Sequence, residues 1–443
     1  MSLNRMKLSP VVALLGVTLA LTGCGLSGGN GDGGDSGQST DNSSVAEGEI
    51  KGEITFSTLQ LQPTFTDYIN GVIADFEKEY PGTSVRWVDI PFEGAQERIS
   101  TDASAGTMPD VINLNPNFAQ PLEAEGLFVN LDQAVPNLRD TYVPGAWDAF
   151  QVPGKEGSYG FPWYLISEVT MYNKAIFEQA GLPTDEPPAT FEELFKTART
   201  IHDATDGKVY GMHPALENRF MRELVMQGVD VISDDGQWQF NTPEAVEYLE
   251  TLTSLWKDGV FPPDSLVQAH TQETEAYQSG QIALFPSGPN FLTVIGENAP
   301  EIAKNTGVGP QVLGKSKSAA MSVMGLLVPE SSKNKATALK FAEFMTNTKN
   351  QVEFSKIVTI FPSTLEGLKD PYFTDDSDGT VDSQARKISA EQLENAVNVL
   401  PVQFDDRVKA VVIGKVQMAM QGELSAKDAL DQAVEEANAI TNG

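Results

Sequence analysis

Between Glu53 and Asn115 the apolar residues alternate between a two-residue and a helical spacing, and this alternation limits the folds open to the chain. Glu53 to Thr58, EITFST, alternates and carries β-forming residues, so it reads as a strand. Phe65, Tyr68, Ile69, Val72, Ile73, Phe76 and Tyr80 then recur at helical spacing, and Pro81-Gly82 ends that helix. Ser84 to Ile90, SVRWVDI, reads as the next strand, Glu93 to Ala105 as a helix, and Pro109 to Asn115, PDVINLN, as a third strand. Strand, helix, strand, helix, strand predicts an α/β sheet with parallel strands.

Later helices announce their starts. Thr190 and Glu193 bracket a capping box, and Phe191, Leu194, Phe195, Ala198 and Ile201 follow on one face. Thr242-Pro243 supplies a cap and a proline at the first helical position, ahead of Val246, Leu249, Leu252 and Trp256. Ser425 to Asp428 opens the last helix, with Ala429, Leu430, Ala433, Ala437 and Ile440 on its apolar face. Ile282 to Phe285 and Val323 to Val328 read as buried strands.

Composition excludes several functions. A net charge of −31, from 61 acidic and 30 basic residues, would repel the phosphates of a nucleic acid. The three histidines, His202, His213 and His270, are too far apart for a helical ligand pair, and the single cysteine, Cys24, can form neither an internal disulfide nor a CxxC site. No metal site and no cofactor is expected. GxSxG, GxxxxGK[ST] and GxGxxG after a strand are absent, so no catalytic signature stands out. The acidic run Thr374 to Asp382 fails the calcium-loop pattern, because Thr374 and Ala385 would take its first and twelfth positions. It reads as a solvated loop. With 40% hydrophobic residues the chain can bury a large core, and its 443 residues suggest about two domains.

The N-terminus explains the cysteine. Arg5 and Lys7 precede an apolar run, Val11 to Thr22, of signal-peptide length and too short for a comfortable membrane span. Leu21-Thr22-Gly23-Cys24 resembles the lipobox of bacterial lipoproteins. The resemblance implies removal of residues 1–23, a diacylglycerol thioether on Cys24, and a protein held on the outer face of the cell membrane. Residues 24–48, rich in Gly, Ser, Asn and Asp, read as a flexible linker.

Six blocks, in order, are similar to the extracellular solute-binding proteins of ABC importers, in the sugar-binding family that includes maltose-binding protein. They are Ile73–Trp87, Ser104–Asn115, Tyr159–Leu182, Glu275–Phe291, Met324–Met345 and Gly422–Asn438. The implied fold is α/β and two-lobed, periplasmic-binding-protein-like, with a hinge and a ligand cleft between the lobes. By the same resemblance, residues 49–164 and 322–362 form lobe one, and 169–318 and 366–443 form lobe two. The chain would cross near 164–169, 318–322 and 362–366. Ligand would shift an open–closed equilibrium toward the closed form that engages a permease.

Ligands of such sheets collect at the carboxyl ends of strands. That nominates Thr58, Gln60 and Gln62 after the first strand and Asn115 and Asn117 after PDVIN, whose hydroxyls and amides suit sugar hydroxyls. Loop capping is the plainer role for the same residues. Trp163 and Tyr164, at the first crossing, are candidates to stack on a pyranose face, with hinge packing as the alternative. The resemblance further nominates Glu217, Asn218 and Arg219 in lobe two, and Ser287 and Asn290 in FPSGPNF. Asn290 stands where the family carries a stacking tryptophan, which disfavours maltose-type oligosaccharides. Phe404, Asp405 and Arg407 would approach the cleft near the C-terminus.

The expected activity is capture of a mono- or oligosaccharide by a monomer that delivers it to the permease subunits of an ABC importer, with the lipid anchor as its membrane contact and no catalysis. The alternatives are an importer receptor for a polyamine or a phosphorylated polyol, and an extracellular glycan-acting enzyme with paired carboxylates. The anchor is directly testable. Cys24→Ala should abolish lipidation and release the protein from the membrane fraction. Identical fractionation of wild type and variant, with no acyl mass on Cys24, would overturn the lipoprotein reading.

Overall fold

The computed structural model describes residues 48–442, apart from Pro153, Asp234 and residues 267–269. The expected signal peptide, the expected lipidation site Cys24 and nearly all of the expected linker lie outside the described residues. In chain order, β1 (Gly52–Leu59), β2 (Thr83–Ile90), β3 (Val111–Leu114) and β4 (Phe161–Ile166) enter one sheet. Next, β5 (Val169–Asn173), β6 (Tyr210–Met212), β7 (Ile282–Ser287) and β8 (Thr306–Gly309) build a second. Finally β9 (Ala320–Leu327), β10 (Phe361–Pro362) and β11 (Val397–Asn398) return to the first. The chain is therefore two α/β lobes, each with its own sheet.

The parallel sheet expected at the start is present. β1 pairs in parallel with β2 from Gly52↔Thr83 to Leu59↔Ile90, and with β3 at Phe56↔Val111. The intervening helices, Thr66–Glu79 and Ala95–Ala105, supply the crossovers that parallel strands require. β9 then inserts antiparallel between β3 and β4, a placement no local pattern encodes. The first sheet runs β10-β4-β9-β3-β1-β2, with β11 parallel to β9. The second runs β6-β7-β5-β8.

Both sheets bury both faces. In the first, Ile54, Phe56 and Val111 pack on one side with Ile69, Phe76 and Phe341, while Leu59, Ile112 and Leu114 pack on the other with Ile99 and Phe150. In the second, Met171 and Phe285 join Tyr277 and Ile295, and Leu284 and Met212 join the large helical core of Leu194, Leu249, Val412 and Leu430. The caps form as read: Thr190 and Glu193 complete a reciprocal box, and Thr242 and Ser425 each accept a first-turn amide.

One expected boundary differs. Packing does not change lobes at residue 366. Leu368, Phe373, Leu393 and Ala396 belong to the first-lobe core, and β11 pairs with β9. The helix Val381–Leu393 spans both cores, with Ala385 among second-lobe residues and Ala390 among first-lobe ones. The acidic run stays a surface turn, where Asp378 accepts from the Thr380 amide at 2.9 Å and also from the Ser383 hydroxyl.

Gly211 lets β6 lie against the helix Phe191–Ala204. A Cβ there would meet Ala198 Cα at 2.3 Å, backbone that cannot rotate away. Gly211→Ala should therefore destabilise by about 1–3 kcal/mol through overpacking. Gly296, in the helix Phe291–Asn298, has nothing within 4 Å of its missing Cβ. Gly296→Ala should stabilise by about 0.5–1 kcal/mol through lower backbone entropy loss. Thermal unfolding of both variants checks the contrast, and equal effects would contradict it.

Candidate ligand-binding site

A groove of about 680 Å³ lies where the lobes face each other. Lobe one contributes Gln96, from the start of the helix Ala95–Ala105, Asn117, Phe118, Gln120, Pro121 and Ala124, from the helix Pro116–Ala124, and Val152. Lobe two contributes Glu217, in the first turn of the helix Leu216–Met226, Leu400 and Val402 to Asp405, and Asp406 and Lys409 on the next helix. The lobe-one helices follow the carboxyl ends of β2 and β3, where α/β sheets hold ligands.

Local chemistry sets the lobe-one wall. Asn115 caps its helix, its Oδ1 accepting from the Phe118 amide at 2.9 Å, with Pro116 at the first helical position. That turn holds Asn117 and Phe118 at the groove. Phe118 is half-buried and stacks on Phe92, ring centroids 5.6 Å apart, and Phe92 is itself 50% exposed. Opposite, Phe404 is half-buried and rests edge-on against Trp238 at 6.1 Å. The groove thus has aromatic surface on both sides, with the amides of Gln96, Asn117, Gln120 and Gln403 around it. Phe118 is apolar, so the search for hydroxyls and amides after PDVIN does not select it, although its position four residues past the carboxyl end of β3 is a usable signal.

The charge in the groove is negative. Glu217 is exposed, Asp406 holds Lys409 at 2.8 Å, and Asp405 pairs with Arg407 at 2.9 Å. Partial burial opposes ionisation of Asp405, but the Val408 and Arg407 amides and the guanidinium hold its carboxyl below the usual range.

Four of the expected contacts therefore line this groove: Asn117, Glu217, Phe404 and Asp405. The others lie elsewhere. Thr58 is fully buried, its hydroxyl donating to Asp89 at 2.6 Å and accepting from Trp87 Nε1 at 2.8 Å. Asp89 also accepts the Leu61 and Gln62 amides, which fixes the loop carrying the exposed side chains of Gln60 and Gln62. Asn115 serves as the cap. Trp163 points into the lobe-one core, stacked on Phe354 at 5.5 Å and edge-on to Phe56 at 6.2 Å, with no ring face exposed. Tyr164 packs edge-on to the same Phe354, and burial pushes its phenol up.

Arg219 is a buried ion pair and not a groove wall. Its guanidinium grips both Glu273 oxygens, at 2.7 and 3.0 Å, and donates to the carbonyls of His213, at 3.2 Å, and Pro286. A helical position on the inner face of Leu216–Met226 forces this, since Phe220 and Leu224 pack there too. Ser287 is buried at the end of β7, Asn290 is exposed before the helix Phe291–Asn298, and Arg407 is exposed beside Asp405. The Asn218 side chain lies outside the described residues.

Two variants test these placements. Trp163→Ala should cost about 3–5 kcal/mol as a core truncation. Arg219→Ala should cost about 3–5 kcal/mol by stranding the buried Glu273 carboxylate. Replacing both partners, Arg219→Met with Glu273→Leu, should recover much of the loss. Denaturant titration of the three proteins decides, and wild-type stability in either single variant would overturn the packing role assigned to it.

The described molecule resembles known proteins over most of its length. It is 24% identical to the galactooligosaccharide-binding protein of Bacillus subtilis (strain 168) over 83% of this chain and 85% of that protein. It is 23% identical to the sn-glycerol-3-phosphate-binding periplasmic protein UgpB of Rhizobium meliloti (strain 1021), over 86% and 87%. A periplasmic-binding protein of Synechococcus sp. MITs9220 superposes with a TM-score of 0.78 at 29% identity, covering 88% of this chain and 99% of that one. An ABC transporter solute-binding protein of Thermotoga lettingae TMO, bound with α-D-tagatose, gives a TM-score of 0.65 at 25% identity, with the same coverage. The family model for bacterial extracellular solute-binding proteins matches residues 62–352. Two α/β lobes around a groove, with this match across more than half the sequence, make the molecule a binding protein rather than an enzyme, and the chain belongs to the bacterial extracellular solute-binding proteins.

Proposed function

We propose that this protein captures a neutral carbohydrate in the interlobe groove and delivers it, as a monomer, to the permease of an ABC importer. Acyl chains on Cys24 would hold it at the outer face of the membrane while residues 24–48 give it reach. The observation that carries the reading is the groove itself: about 680 Å³, with Phe118 and Phe404 on opposite lobes and amides between them. Aromatic faces suit the apolar face of a sugar ring, and amides both donate to and accept from hydroxyls. A galactooligosaccharide-binding relative and a tagatose-bound structural neighbour support the same class.

The glycerol-phosphate relative favours a second reading, a phosphorylated polyol. The groove charge weighs against it. Among the described lining residues Lys409 is the one cation, already held by Asp406, and three carboxylates accompany it. A phosphate dianion there would meet repulsion without the arginine fork that recognises it best.

A thermal-shift screen tests both. Oligosaccharides should raise the melting temperature by preferential binding to the folded state, and glycerol 3-phosphate should not. Phe118→Ala should then weaken the selected sugar roughly tenfold, about 1.4 kcal/mol, in calorimetric titration, and the sugar should be recovered unchanged. A shift with glycerol 3-phosphate alone would reverse the choice of substrate class.

A further inference from the structure

The chain passes from the first sheet to the second between Ile166 and Val169, and comes back between Gly309 and Ala320. One side chain touches both links. Gln392 Nε2 donates to Ser167 Oγ at 2.5 Å and to the Glu168 carbonyl at 2.6 Å. Gln392 Oε1 accepts from the Gln311 amide at 3.0 Å. A carbonyl on one side and an N–H on the other leave the amide a single orientation. Gln311 extends the contact, its Oε1 accepting from the Ala320 amide at 2.5 Å at the start of β9. Thr170 joins the links again, donating to the Pro310 carbonyl at 2.8 Å.

Gln392 sits where its helix leaves one core for the other: Ala385 packs in the second lobe, and Ala390 and Leu393 pack in the first. Glu168 is held from the opposite side as well, its carboxylate pairing with Arg222 at 2.6 Å, on the helix whose first turn carries Glu217 at the groove. Around the expected crossing at 362–366 the chain instead stays in lobe one. Ser363 is fastened within lobe one by the Pro162 carbonyl at 2.6 Å, the Val143 amide at 2.8 Å and Gln351 at 2.6 Å.

We propose that Gln392 is a positioning residue for ligand capture: its amide ties both links into the interlobe arrangement in which the two lobes wall one groove, and so sets the fraction of protein ready to bind. The proposal rests on the groove being the ligand site. Apparent affinity falls in proportion to the competent fraction, even when every ligand contact is intact. Gln392 lines no part of the groove, so its loss acts through that fraction alone.

Two variants divide its roles. Gln392→Leu removes all three hydrogen bonds at similar size. Gln392→Glu keeps the acceptor for Gln311 and turns the donor end into a carboxylate facing the Glu168 carbonyl. Small-angle scattering of the ligand-free proteins should show a larger radius of gyration in both variants, with Gln392→Glu shifted at least as far. Titration with the oligosaccharide selected by the screen should show a three- to tenfold higher Kd for Gln392→Leu. Ser167→Ala, which removes one bond of the three, should shift both readouts less in the same direction and serves if either Gln392 variant melts early. Wild-type scattering in the folded variants would overturn the hinge role, and needs no ligand, so it is separable from failure of the sugar reading. Altered scattering with unchanged affinity would overturn the role in capture.

Discussion

Two residues, Ser167 and Glu168, carry the chain from one sheet to the other, and the rest of the molecule depends on how they are held. So short a link has no ladder of its own, yet buried backbone groups still require partners. Gln392 supplies one for the Glu168 carbonyl, and the same amide reaches the returning link at Gln311. The groove walls come from both lobes: Phe118 follows β3 and Phe404 packs on Trp238, so the links between the sheets bear on how the two walls face each other.

Each sheet carries core clusters of its own, with the helix Val381–Leu393 shared between the lobes. Aromatic packing around Phe354 locks Trp163, Tyr164, Tyr68 and Phe65 into lobe one. The Arg219–Glu273 pair does the corresponding work under β7, where a charge without its partner would be expensive. Trp163 and Arg219, of types suited to a ligand, are thus consumed by structure, and a different set lines the groove surface. That surface is aromatic, amide-bearing and negative, and the proposed choice of a neutral sugar over a phosphorylated polyol rests on it.

Much of the fold was legible in the chain. The alternation from Glu53 to Asn115 announced three parallel strands and two helices, and the capping residues Thr190, Thr242 and Ser425 marked helix starts that the structure retains. Such signals are local: a period or a cap acts within one or two turns of its own residues. The candidate groove was less legible. Of the residues nominated by position after strands or by family similarity, Asn117, Glu217, Phe404 and Asp405 line it. Trp163 and Arg219 had the chemistry of ligand contacts, but side-chain direction decides that role, and both point inward.

The sequence by itself determined the α/β class through its periodicity and the lack of catalytic and metal motifs through its residue spacing, while the two-lobed form and the family were implied by the resemblance of six ordered blocks. Only the tertiary structure decided where β9 inserts, that residues 366–398 are shared between the lobes, and that Gln392 meets Ser167 and Gln311 from 225 and 81 positions away. These are contacts between distant segments. Their energies depend on distances that exist only once both sheets have formed, so no local pattern along the chain can carry them.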